Sequence, residues 1–146
     1  MRAFKVADSS GFAVYKPSMK YAANIAGALL GAIFLFASIA YFFKLMPMTP
    51  PPEGTPAASF MGAFGPTGYM DFVKSMELLG GILVAIPITR NFGLLVLGPI
   101  VVNIMAFQIF ILKGAGLKDP MLIGTVLLAA FLLWCGRRKF AALANR

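Results

Sequence analysis

The residues able to do chemistry in this chain are few, and they sit in greasy surroundings. Lys74 and Glu77 lie in the stretch "KSMELLGGILVAI", with Gly80 and Gly81 just beyond, and Asn103 and Gln108 lie in a second apolar run from Phe92 to Leu112. A carboxylate in hydrocarbon can carry a proton or anchor the polar group of a lipid-soluble ligand. Bonded to Lys74 and Asn103, it would instead be a structural clamp that fixes helix register. Both readings stay open. Pro99 removes the amide that would bond the carbonyl of Leu95, and Pro87 does the same to Leu83; such carbonyls need another partner or become binding groups. Little else could act. There is no histidine and a single cysteine, Cys135, which excludes imidazole-built zinc or haem sites and an internal disulfide. No nucleophile stands beside a base, no Gly-rich phosphate loop is present, and Asp71 reads as a cap near a helix start. Neither a catalytic residue nor a metal ligand is nominated.

The elements that must position these groups are legible from composition. Of 146 residues, 60% are hydrophobic and 12% charged, and mean hydropathy is +0.84. Soluble domains carry about a quarter charged residues, so lipid is the expected solvent for much of this surface. The formal charge of +8 does not indicate nucleic acid, because the basic residues cluster at segment ends and form no polar stripe. The fold expected is an all-α bundle of four transmembrane helices in a single domain. Residues 1–20 form a cytoplasmic N-terminal segment, and the crossings are 21–43, 69–88, 92–112 and 120–135. A proline-rich outer loop (44–68) follows the first crossing, and a basic tail (136–146) follows the last. The first crossing is too long for a secretory signal and lacks small residues at its end, so it is read as a retained helix. Arg2, Lys5, Lys16, Lys20, Arg90, Arg137, Arg138, Lys139 and Arg146 all fall on one side, which makes both termini cytoplasmic, in a bacterial inner membrane. Phe60, Met61 and Phe64 are too apolar for a free linker, so the outer loop is expected to fold back as a cap.

Depth and direction then single out a centre. At ~1.5 Å per residue, Glu77 lies ~12 Å below the outer interface and Asn103 ~13–14 Å, on adjacent antiparallel helices. The two are expected to meet. Lys74 and Gly81 fall within about 60° of Glu77, whereas Gln108 points ~140° away from Asn103, towards another helix or the cap. Val96, Pro99, Phe107 and Phe110 share the face of Asn103. Gly27 and Gly31, with Ala23, and Gly80 and Gly81 suit close helix approach. Tyr41, Tyr69 and Trp134 fit interfacial belts. The polar cluster nominated for ligand binding or structure is Glu77, Asn103, Lys74, Gln108, Tyr69, Gly81 and Pro99.

"GYMDFVKSMELLGGILVAI" (Gly68 to Ile86) followed by "LGPIVVNIMAFQIFI" (Leu97 to Ile111) resembles the DoxX-like family of small four-helix membrane proteins. The likeness covers Ile25 to Trp134 and rests on Gly68, Tyr69, Lys74, Glu77, Gly81, Pro99 and Asn103 taken together. It implies roles such as a subunit of thiosulfate:quinone oxidoreduction or of assemblies that handle thiol and oxidative stress. Family members often have histidine where this chain has Gln108, which weakens the expectation of redox chemistry. The expected function is therefore a non-catalytic accessory subunit of a larger membrane complex. It would have no intrinsic cofactor, and a bound quinone or lipid near Glu77 and Asn103. The alternatives are the membrane subunit of a quinone- or thiol-linked oxidoreductase with its cofactors on a partner, and a small transporter or proton-conducting element. The expected partners are the bilayer and other membrane subunits, not nucleic acid.

Overall fold

The computed structural model describes residues 17–144; Arg2, Lys5, Lys16 and Arg146, which entered the charge asymmetry, lie outside the described residues. Every regular element among the described residues is helical: α1 (Pro17–Phe42), α2 (Pro56–Phe64), a 3₁₀ turn (Gly65–Thr67), α3 (Tyr69–Ala85), α4 (Arg90–Ala106) continued by a π turn (Phe107–Ile111), and α5 (Pro120–Ala144). Among the described residues, three stretches are long and apolar enough to cross a bilayer: Ser18–Phe42, Arg90–Ile111 and Pro120–Ala142. Phe92, Val102, Phe110, Leu127 and Trp134 are exposed on these helices, a surface suited to acyl chains and not to water. The molecule has the build of a membrane protein.

Local chemistry sets the boundaries. Helix α1 ends in a paired-turn cap in which the Leu45 N–H donates to the Ala40 carbonyl (2.9 Å) and the Lys44 N–H to that of Tyr41 (3.2 Å). The prolines that follow keep the chain out of helix until Thr55, whose hydroxyl oxygen accepts the Ala58 N–H while Pro56 opens α2. The proline-rich segment, expected to be a loop, is thus partly helical, because it carries its own cap. Phe60 of α2 packs edge-on against Phe107 (5.1 Å between ring centroids), so this segment does lie over the end of α4. Gly68, at φ 77°, turns the chain into α3 in a left-handed conformation that a side chain would strain.

The other boundaries shift for equally local reasons. Helix α3 stops at Ala85 instead of Ile88 because Pro87 cannot continue it. The Leu83 carbonyl that Pro87 leaves without an amide is claimed by the Thr89 hydroxyl at 2.9 Å. Arg90 and Asn91, expected in the turn, already belong to α4. Helix α5 runs through Arg137, Arg138 and Lys139 to Ala144, well past Cys135. Gly136 alone costs about 1 kcal/mol of helix propensity, and the residues after it are good helix formers.

Helices α1, α3, α4 and α5 pack in a ring in that order, with α5 closing on α1. Helix α3 is wedged between α1 and α4 by glycines. A Cβ added at Gly31 would sit 2.7 Å from the Gly81 carbonyl oxygen, and one at Gly93 would run into the backbone of Val84. Backbones therefore touch, with Leu30, Phe34, Val84, Leu97 and Leu132 filling the core around them. Gly93→Ala is expected to lower stability by about 1–3 kcal/mol through overpacking. Gly124→Ala, on an α5 face where an added Cβ meets nothing within 4 Å, is expected to raise it by about 0.5–1 kcal/mol. Unfolding midpoints in mild detergent measure both.

Candidate functional site

Three polar residues, Asp71, Lys74 and Glu77, stand three apart on α3 and so follow one side of the helix. The Lys74 ammonium donates to the Glu77 carboxylate at 2.7 Å, and Glu77 is almost entirely buried. One turn outward, the Tyr41 hydroxyl of α1 donates to the Asp71 carboxylate at 2.8 Å. The Lys74 ammonium lies 6.0 Å from the centre of the Tyr41 ring, near the outer limit of a cation–π contact. A continuous polar line thus runs from the Tyr41–Asp71 end of the α1–α3 seam to Glu77. The antiparallel register explains it: Gly31 lies opposite Gly81 and Tyr41 opposite Asp71, ten residues along each helix. By the same register Ser38 stands at the level of Lys74. Its hydroxyl is wholly buried and has no partner among the described residues.

This line borders a cleft of about 660 Å³ at the end of the bundle where α1 ends and α3 begins. Its walls are mostly apolar, from Phe36, Ala40, Met46, Met48 and Met121, and its polar groups are Tyr41, Lys44, Asp71 and Lys74. Glu77 is not on the lining. It lies behind Lys74 and holds that ammonium in place. A cleft of this kind suits an amphipathic guest whose polar head meets the Lys74 N–H donors and the Tyr41 oxygen while its apolar body rests on methionine and phenylalanine. Among the described residues, no group of three or more His, Cys, Asp or Glu side chains is placed to hold a metal.

The nominated cluster separates on this geometry. Lys74 and Glu77 come together as expected, but Asn103 does not join them. It is exposed on the opposite side of α4, with Pro99 and Phe110 beside it. The core-facing side of α4 carries Gly93, Leu94, Leu97 and Val101, and Asn103 falls ~160° from Val101. The depth reading fared better. Gly80 lies against Leu97 and Gly93 against Val84, which sets Asn103 opposite Lys74, within one turn of Glu77. Gln108 sits in the π turn with its side chain against Gly116 of the α4–α5 connection, and its side-chain oxygen is buried without a partner among the described residues. Tyr69 is exposed and stacks on Phe64 at 5.0 Å, away from the acid. Gly81 serves the α1–α3 contact, not a ligand. Reasoning from sequence missed Tyr41 and Asp71, assigned there to a belt and a cap. The three-residue spacing of Asp71, Lys74 and Glu77 was the available signal.

No protein family, no characterised protein and no solved structure matches this chain at a significant level. The site must therefore be argued from its own chemistry. Lys74→Met would leave a buried carboxylate uncompensated and should destabilise the protein by about 3 kcal/mol or more. The double replacement Lys74→Met with Glu77→Leu should recover most of that loss. Denaturation of the three proteins in one detergent decides it; a double variant no better than the single would show that the pair does not act as a unit.

Proposed function

We propose that this chain is a non-catalytic membrane subunit that holds one amphipathic, lipid-soluble molecule in the outer α1–α3 cleft. The observation that carries the reading is the union of an apolar cleft with a fixed polar line. Lys74 spends one of its three N–H donors on Glu77, leaving two for a carbonyl or hydroxyl at the head of a guest. Tyr41, already anchored on Asp71, offers its oxygen as an acceptor. Because both groups are held by partners within the chain, little ordering is lost on binding. The carbonyl of a quinone-like ring or a lipid ester meets the Lys74 demand, and a quinol-type hydroxyl meets both.

The full topology belongs to the same proposal. Helix α3 spans 17 residues, or ~25 Å, and runs antiparallel between two helices that are long enough to cross. Read as a fourth crossing, it puts both chain ends on one side. Lys20, Arg90, Arg137, Arg138 and Lys139 gather at that end of the bundle, against Lys44, Lys74, Lys113 and Lys118 towards the other, and in the sequence Arg2, Lys5, Lys16 and Arg146 add to the first set. The positive-inside preference makes the basic end cytoplasmic, as in a bacterial inner membrane.

Asn103 favours the subunit reading over a solitary one. An amide exposed at mid-helix in an apolar face finds no hydrogen bond in lipid, and a helix of another subunit could supply one. The resemblance to DoxX-like chains points the same way, towards a membrane subunit of a quinone- or thiol-linked oxidoreductase whose cofactors lie on a partner. A proton path across the membrane has less support: beyond Glu77 the α1–α3 seam closes at Gly31 and Gly81 with backbones in contact.

Two outcomes are expected. A short-chain quinol titrated into the detergent-solubilised protein should bind, and Tyr41→Phe, which removes the acceptor for a quinol hydroxyl, should weaken it by about three- to tenfold, the worth of one net hydrogen bond; equal binding by wild type and variant removes the cleft from the proposal. Asn103→Leu should reduce co-purification of partner chains while leaving quinol affinity unchanged, as read by native mass spectrometry.

A further inference from the structure

The basic end of the bundle holds a second cavity, of about 400 Å³, remote from the outer cleft and bordered by α1, α4 and α5. Lys20, Arg90 and Lys139 line it together with Asn24 and Asn91, over an apolar floor that includes Ala23 and Leu132. Three cations converge here, and every described carboxylate lies towards the other end of the bundle. The one ion pair among the described residues, Lys74–Glu77, is likewise elsewhere. The charge at this cavity is therefore balanced by no carboxylate of the described chain.

Arg90 is the group most clearly built for a guest. Its Nη2 donates to the Asn24 side-chain oxygen at 2.9 Å, which fixes the plane of the guanidinium. Its Nε is buried and has no acceptor among the described residues. The side chain can lie there only because α1 carries Gly27: a Cβ at that position would be 2.7 Å from the Arg90 Nε. A guanidinium so placed has most of its five N–H donors unspent. Helix α4 also begins at Arg90, and its N-cap, Thr89, makes no side-chain capping bond because its hydroxyl is turned to the Leu83 carbonyl. The positive end of the helix adds to the same field.

We propose that this cavity binds a phosphate group, with the Arg90 guanidinium as the oriented donor and Lys20 and Lys139 as flanking charges. Planar guanidinium matches phosphate oxygens in pairs, and the lysines contribute as point charges. The apolar floor and the position at the end of membrane-spanning helices suit the head of an anionic phospholipid, whose glycerol and upper acyl carbons would rest on Ala23 and Leu132. A free phosphate would use the same donors without the floor.

The protein purified in mild detergent and stripped of lipid is the test material, and its unfolding midpoint is the readout. Short-chain phosphatidylglycerol should raise the midpoint in a saturable manner. Phosphatidylcholine of equal chain length, whose choline offsets the charge, should raise it far less. Inorganic phosphate forms the third arm: a rise with phosphate alone equal to that with the lipid assigns the site to a free anion, and a rise with the lipid only assigns it to a headgroup. Arg90→Gln should weaken the apparent affinity roughly tenfold or more, the scale of a lost charge-assisted pair. Should Arg90→Gln fail to fold, Lys20→Gln with Lys139→Gln, both at the cavity rim, must lower the affinity as well. Arg138→Gln, off the cavity, should bind as wild type does. An equal response to phosphatidylglycerol and phosphatidylcholine, no response to either anion, or cavity variants that bind like wild type would overturn the proposal.

Discussion

Hydrocarbon offers no hydrogen bonds, so each polar group carried into it must find its partner within the chain, at a neighbouring subunit or on a guest. Where this molecule meets that demand internally, the solution is local and economical. Lys74 closes on Glu77 within one helical turn, Tyr41 reaches Asp71 across the α1–α3 seam, and Thr89 turns its hydroxyl to the carbonyl orphaned by Pro87. All three depend on where α3 sits. The glycine contacts that press α3 against α1 and α4 set the register that brings Tyr41 beside Asp71, and they bury Glu77 deeply enough to need Lys74. Packing and polarity are here one problem.

How much of this could be read from sequence follows from what membrane helices do and do not encode. Length and hydropathy located the apolar runs, and small residues at Gly27, Gly31 and Gly81 marked the faces that touch. Rise per residue placed Asn103 and Glu77 within a turn of the same level. Azimuth was the failure. A soluble helix announces its buried side by an apolar stripe, but a helix with lipid outside and core inside is apolar on both. Asn103 was assigned inward because it is polar, whereas Gly93, Leu97 and Val101 define the inward face of α4 by size and shape. The boundaries shifted for other reasons: Thr55 and Pro56 start α2 within a proline-rich segment, and nothing after Cys135 is a strong enough breaker to stop α5.

The candidate site shows the same division. The Lys74–Glu77 pair was legible because both members lie on one helix, three residues apart, where geometry is fixed by the backbone alone. The Tyr41–Asp71 bond spans thirty residues and two helices. It could be inferred only from a register that neither helix states by itself. Arg90 with Asn24 spans sixty-six, and depends further on the absence of a side chain at Gly27.

Groups left without a partner are as informative as those satisfied, and they fall in distinct places. Asn103 faces outward among Pro99 and Phe110, where no described residue answers it. Arg90 faces a cavity flanked by two lysines, where an anion could. Glu77 needs neither, since Lys74 answers it, and this separates the three. A carboxylate already paired and buried behind its own counter-ion is poorly placed to meet a ligand directly, so its part is to hold Lys74 at the cleft wall in a fixed pose. On the proposed reading a guest meets the lysine and not the acid. Selection of the guest proposed for the α1–α3 cleft should thus follow from its hydrogen-bonding groups and apolar length, while for the one proposed at the opposite end of the same bundle it should follow from negative charge.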